Sequence, residues 1–161
     1  MHVEAFVRDD LWEDVKDLVN KNFTWFVITP ANFEYCQSYF NLKMNKEEFT
    51  QKLIERIKYL QDNNEEIQLH LHLSAVVKFI DKELQDTKFN EAISFMNSLG
   101  ITPKKMAPGW CKYNQYTLEL SKRYGIKYIY VFDPDPLKKP IIKNGVIIVP
   151  SHKFWHDYDF A

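Results

Sequence analysis

Short apolar runs alternate along this chain with longer stretches of helical spacing. Residues 3–7 read as a strand that stops at Arg8-Asp9-Asp10, and residues 11–21 follow with Leu11, Val15, Leu18 and Val19 on one helical face. Residues 24–28, Thr-Trp-Phe-Val-Ile, have the β-branched and aromatic composition of a buried strand, and they stop at Thr29-Pro30. Asn45 is placed to cap a helix whose Phe49, Leu53, Ile57 and Leu60 form one stripe. A strand over residues 67–73 comes next. A helical region then runs from about Val76, interrupted near Thr87, to Leu99-Gly100, where glycine suits the C-terminal cap. Residues 103–107 form a short strand candidate ending at Pro108-Gly109-Trp110. Asn114 or Thr117 opens another helix, with Leu118, Leu120 and Tyr124 apolar, which closes at Gly125. Residues 127–132 read as a strand ending at Asp133, and residues 141–142 and 146–149 as the last two, joined by a hairpin turn at Lys143-Asn144-Gly145.

Strands and helices in this order imply an α/β fold of parallel strands with helical crossovers. Nothing marks a linker or an internal repeat, so residues 1–161 read as one domain. Six or seven strands leave two architectures, an open sheet or an incomplete (β/α) barrel, since a full eight-stranded barrel typically takes about 250 residues.

Composition narrows the partners more than the fold. The chain is 45% hydrophobic and 27% charged, as a globular protein should be. A formal net charge of -1 gives no electrostatic case for nucleic acid or an anionic membrane. No apolar run is long enough to span a bilayer and no signal peptide is visible, so a cytoplasmic location is the expectation. Cys36 and Cys111 have neither metal-site spacing nor the look of a disulfide framework. Aromatic residues make up 16%, enough that some must line a groove if they do not all fill the core.

The sequence Leu69-His70-Leu71-His72-Leu73 carries the candidate chemistry. Side chains at i and i+2 of a strand share a face, so the leucines point into apolar packing and the two histidines point together the other way. Neutral imidazole is the commonest protein ligand for transition metals, and a same-face pair suggests half of a metal site. An ordinary polar strand face is the plain alternative.

In parallel α/β folds the site lies at the C-terminal ends of the strands. Those ends carry Asp9-Asp10, His70 and His72, Pro108-Gly109-Trp110, Asp133 and His152. One carboxylate plus two imidazoles is a common ligand set for a catalytic divalent metal, while a second carboxylate is free to take a proton. Either aspartate could instead serve the start of the following helix. His152 follows an apolar strand and has the proton affinity of a general acid. In Pro108-Gly109-Trp110 the backbone N–H groups exposed by the glycine suit a developing oxyanion, and Trp110 suits the apolar face of a sugar ring.

In this order the motifs resemble those of the polysaccharide deacetylase (NodB-type carbohydrate esterase) family. Val7-Arg8-Asp9-Asp10 is similar to its T-F-D-D opening, and Glu66–His72 to its histidine motif. Residues 105–110, with Asn114 and Thr117-Leu118 beyond, resemble F-R-x-P followed by N-x-x-T-L, and Val149-Pro150-Ser151-His152 resembles the closing motif. The resemblance implies a distorted, incomplete (β/α) barrel of about seven strands. It implies a deacetylase that hydrolyses an acetyl amide or ester on a sugar or related small molecule, with metal-activated water as nucleophile. It further implies Asp9 as general base, Asp10 and His70 as ligands of a divalent ion, zinc by expectation, and His152 as general acid. The family's common motif spaces its histidines four apart, but position 74 is serine, so His72 is taken as the second ligand. Met106 stands where the family has an arginine beside the base, with Lys104 and Lys105 the nearest cations in sequence. Two other readings stay open: a degenerate barrel that binds carbohydrate without catalysis, and another metal-dependent, amidohydrolase-like hydrolase.

Overall fold

Each apolar run named above contributes a strand to a single sheet, with shifted ends; in the first run, expected over residues 3–7, the strand is His2–Val3 and Phe6 and Val7 lie in a turn. The computed structural model describes residues 2, 3, 6–73, 81–135 and 137–151, with backbone only at 2 and 3. The strands are β1 (His2–Val3), β2 (Thr24–Val27), β3 (Glu66–Leu71), β4 (Lys105–Pro108), β5 (Tyr128–Phe132), β6 (Ile141–Lys143) and β7 (Val146–Ser151). Their order in the sheet is β1-β2-β3-β4-β5-β7-β6. All neighbours are parallel except the edge hairpin of β6 and β7. That hairpin turns through Asn144 (φ 49°) and Gly145 (φ 78°), the two left-handed residues that a tight hairpin turn needs.

The sheet is strongly curved. β2 and β5 are three strand spacings apart, about 14 Å in a flat sheet. The rings of Phe26 on β2 and Tyr130 on β5 nevertheless meet at 5.2 Å, which requires the face they share to be concave. With β1 and β6 as unjoined edges, the architecture is the distorted, incomplete (β/α) barrel that the motifs imply.

The helices cover the convex face and divide the core in two. Trp25 and Val27 pack with Val15 of α1 (Asp9–Lys16) and with Phe49, Leu53, Ile57 and Leu60 of α3 (Lys46–Asp62). Leu69, Leu71, Met106, Ile129 and Ile148 pack with Phe89, Ala92 and Ile93 of α4 (Lys82–Ser98) and with Leu118 and Leu120 of α5 (Gln115–Arg123). The predicted α3 stripe is fully buried, and Asn45 and Glu48 close a reciprocal capping box at its start. Asn114 and Thr117 do the same for α5, so both residues named as possible openers are used.

Three local expectations are corrected. The first helix ends at Lys16; beyond it the chain continues in turns closed by bonds three residues back (Leu18 to Val15, Val19 to Lys16, Lys21 to Leu18) that still bury Val19. α4 is unbroken at Thr87, whose hydroxyl donates to the Glu83 carbonyl one turn back (3.0 Å) and so needs no break in the helix. The segment after Thr29-Pro30 is helical: a short 3-10 turn, Pro30–Asn32, leads into α2 (Phe33–Tyr39). Proline in the first turn and buried Phe33 and Cys36 three apart are the signals for it. Residues 74–80, where a helix was expected to begin, and the C-terminal segment with His152 and His156 lie outside the described residues.

Among the described helices, none is long and apolar enough to cross a membrane. Leu53→Ala is expected to destabilise the fold by about 2–5 kcal/mol, whereas Ile142→Ala, at an exposed edge, should stay within about 0.5 kcal/mol. Urea unfolding of the two variants checks the contrast.

Candidate functional site

β3 delivers the histidines to the concave side. Its leucines are consumed by the helix-facing core, so alternation turns His70 to the opposite face, and His72 follows just past the strand end. His70 is fully buried and His72 is 6% exposed. Their rings stand nearly perpendicular (79°), with Nε2 of one 3.1 Å from Nε2 of the other. One imidazole can donate to the other at this spacing only if they adopt complementary protonation.

The same spacing suits a shared cation. Two nitrogens bound to tetrahedral zinc at about 2.0–2.1 Å lie about 3.3 Å apart, so the pair fits as two ligands of such an ion. The expected carboxylate does not join them here. Among the described residues, no group of three His, Cys, Asp or Glu side chains is placed to hold one ion.

Asp9 and Asp10 open α1 rather than cap it, the N-cap being Arg8. Both sit in the first turn, where the helix dipole favours negative charge. Asp10 takes a hydrogen bond from Arg8 Nε (3.1 Å) and a second, closer one from Arg8 Nη2. Asp9 takes both its contacts from α3: Lys52 Nζ at 2.5 and 2.7 Å, and the guanidinium of Arg56. Arg56 is buried and also donates to the carbonyls of Phe6 and Arg8, which ties the turn leading into α1 to α3. The hydrogen bond from Lys52 is the main reason the Asp9 carboxyl is held below the usual carboxylate range; slight desolvation opposes it and the Arg56 charge adds to it. The cations on Asp9 thus come from α3 and not from Lys104 or Lys105. Lys105 pairs with Glu66 (2.6 Å) at the start of β3, and Met106 is core.

Pro108 ends β4, and Gly109 begins a 3-10 turn against the histidines. A Cβ on Gly109 would overlap Nδ1, Cγ and Cε1 of His72, so only glycine leaves the imidazole its place. Trp110 and Cys111 both have φ of 55°, a costly conformation for side chains of this kind. The turn stands the Trp110 ring edge-on to His72 (6.2 Å, 87°), Tyr35 (6.3 Å, 86°) and Tyr39 (6.0 Å, 77°). Those three rings form a column: Tyr39 stacks on Tyr35 (5.5 Å, 13°), and Tyr35 stacks on His72 (3.6 Å, 20°). The column runs from exposed Tyr39 to buried His72, so aromatic residues do line this mouth.

The sequence reading missed Tyr35 and Tyr39, because α2 was not recognised; their four-residue spacing beside Phe33 and Phe40 is the signal. It also missed Thr29 and Asn32, both fully buried after β2, where the Thr29 hydroxyl donates to Asn32 Oδ1 at 3.4 Å. At the fifth strand end, Asp133 is bonded to Lys138 and to the Asp135 N–H. His152 lies outside the described residues; β7 is described as far as Ser151, opposite Phe132. A cleft of about 500 Å³ lined by Asn20, Asn22, Asn63 and Asn64 lies at the other ends of β2 and β3, away from the histidines.

No family model and no curated protein matches the chain. Solved structures do. A Mycobacterium smegmatis protein provisionally described as a polysaccharide deacetylase matches 94% of this chain and 56% of its own length, with a TM-score of 0.59 and 14% identity. A de-N-acetylase from Aggregatibacter actinomycetemcomitans matches 87% of this chain and 62% of its own, with a TM-score of 0.53 and 14% identity. The fold is that of the polysaccharide deacetylases. A 4-alpha-glucanotransferase from Thermococcus litoralis has the same fold over 92% of this chain and 25% of its own, with a TM-score of 0.58 and 14% identity. Its name is that of a different reaction, so the deacetylase fold alone does not carry the chemistry. The chain spans little more than half the length of the Mycobacterium smegmatis deacetylase-like protein.

Two outcomes follow from this geometry. Gly109→Ala should shift the His72 ring resonances in NMR spectra while leaving the α3 core signals in place. The Asp9 pair stabilises the fold above the ordinary carboxylate pKa of about 4 and ceases to do so as pH falls through the lowered folded value. Asp9→Asn should therefore show a shallower loss of stability between neutral and acid pH than the wild type, read as urea midpoints against pH.

Proposed function

We propose that this chain is a metal-dependent deacetylase acting on an acetylated sugar or a related small amide or ester. The observation that carries the reading is the convergence of His70 and His72 at 3.1 Å on the concave side of a deacetylase fold, beneath an aromatic wall. His70 and His72 would hold a divalent ion, and Asp10 would complete the set if it turned from Arg8. When bound, such an ion polarises a carbonyl and lowers the pKa of water. Asp9 serves as base, and its pairing with Lys52 and Arg56 keeps it ionised at the cost of proton affinity. The backbone around Gly109 receives negative charge developing on the substrate oxygen, and Trp110, 37% exposed, offers a ring face to the sugar. His152 donates the proton that the leaving amine or alcohol needs.

A second reading has one specific observation in its favour. Both aspartates of the opening motif are engaged by cations, Asp10 by Arg8 and Asp9 by Lys52 and Arg56, as in a barrel that retains sugar binding without turnover.

Acetate release from a panel of acetylated oligosaccharides separates the two. The expected result is release that chelation abolishes and added zinc restores, with His70→Ala and His72→Ala each lowering kcat/KM on the order of 100-fold or more. Oligosaccharide binding without acetate release, at any divalent metal tested, would establish the second reading instead.

A further inference from the structure

His70 and His72 are held by different means. His70 lies inside the β3–β4 ladder, in register with Ala107, so backbone hydrogen bonding fixes its direction. His72 lies beyond the last paired residue of β3, Leu71, and the ladder does not orient it. Its ring must be set by what touches it. Tyr35 covers one face at 3.6 Å and 20°. The Cβ position of Gly109 is almost equally close to three atoms of the ring, so it lies over a face and not beyond an edge. Steric exclusion makes that the face Tyr35 leaves uncovered. The imidazole is therefore a flat layer between a phenol ring and a bare backbone, and the Trp110 ring stands nearly perpendicular to it at 6.2 Å.

We propose that Tyr35 is the positioning residue of His72, holding its imidazole against Gly109 so that Nε2 is aimed at Nε2 of His70. The consequence for ion affinity rests on the metal-binding reading above. Tyr35 itself touches the histidine and not the reacting atoms, and what it contributes is a flat ring surface. Tyr39, stacked behind it, supports Tyr35 from the solvent side. A second histidine placed outside the ladder has no fixed direction of its own, and α2 supplies one from the neighbouring strand connection.

Phenylalanine keeps the ring and drops the hydroxyl; leucine keeps bulk without a flat face; alanine removes both. Zinc affinity by competition calorimetry should be within about two-fold of wild type for Tyr35→Phe, and weaker by about ten-fold or more for Tyr35→Leu and Tyr35→Ala. In a His72→Ala background, Tyr35→Leu should cause no further loss. The metal-free protein gives an independent readout: the His72 ring protons should carry an upfield ring-current shift that persists in Tyr35→Phe and vanishes in Tyr35→Leu. Equal zinc affinity in wild type and Tyr35→Leu, or a loss that persists without His72, overturns the positioning role. If wild-type protein binds no zinc, the metal-binding reading fails, and the ring-current shift alone then decides the clamp: its presence upholds the clamp and its absence refutes it.

Discussion

The register of β3 against β4 is the constraint on which the site depends. Leu69 opposite Met106, His70 opposite Ala107 and Leu71 opposite Pro108 bring His72 and Gly109 together at the strand ends, where a side chain on residue 109 would occupy the imidazole's place. A slip of one residue would turn the leucines into the concave space and the histidines into the helix-facing core. The leucines prevent it. Leu69, Leu71 and Leu73 are each buried to within 1% among α4 and α5 side chains, and exposing three such residues would cost several times the worth of any one contact at the mouth. The hydrophobic packing of one face thus aims the chemistry of the other.

Curvature does the rest. A flat sheet would keep β2 and β5 well apart, but contact between Phe26 and Tyr130 shows the strands folding around the concave side. The connection after β2 can then bring α2 over the ends of β3 and β4. Trp110 is forced into a left-handed backbone conformation to meet it, a cost that the flanking aromatic contacts help to offset. The result is a mouth with buried nitrogen donors at its base and exposed rings at its rim.

Much of this was legible in the sequence for simple reasons. Alternating Leu and His give a period of two, the stripe from Phe49 to Leu60 gives a period of 3.6, and Asn45 and Asn114 are strong helix openers, so strand faces, helix faces and helix starts followed directly. The helix after Pro30 was harder, because two short turns give too few repeats for a period to emerge. With α2 unseen, Tyr35 and Tyr39 had no assigned place near the histidines. The fate of the charges was harder still. Which cation reaches Asp9 depends on how α3 packs against the start of α1, a tertiary fact that no local pattern encodes, and Lys52 and Arg56 lie more than forty residues away in sequence.

Those charges define what the chemistry must overcome. A carboxylate already bonded to a cation has lower proton affinity, and releasing Asp10 from Arg8 toward a metal exchanges one exposed ion pair for another interaction of like sign. Exposed pairs of this kind hold side chains weakly, so in the proposed reading a divalent ion would draw Asp10 away from Arg8. In the proposed metal set the two buried imidazoles are already in place and the exposed carboxylate is the part that would move. Anomalous diffraction at the zinc edge, from crystals of the chain grown with zinc, tests this most directly. A single strong peak about 2.0–2.1 Å from Nε2 of both His70 and His72 is the expected result; the absence of any peak between the two rings would contradict the two-histidine site.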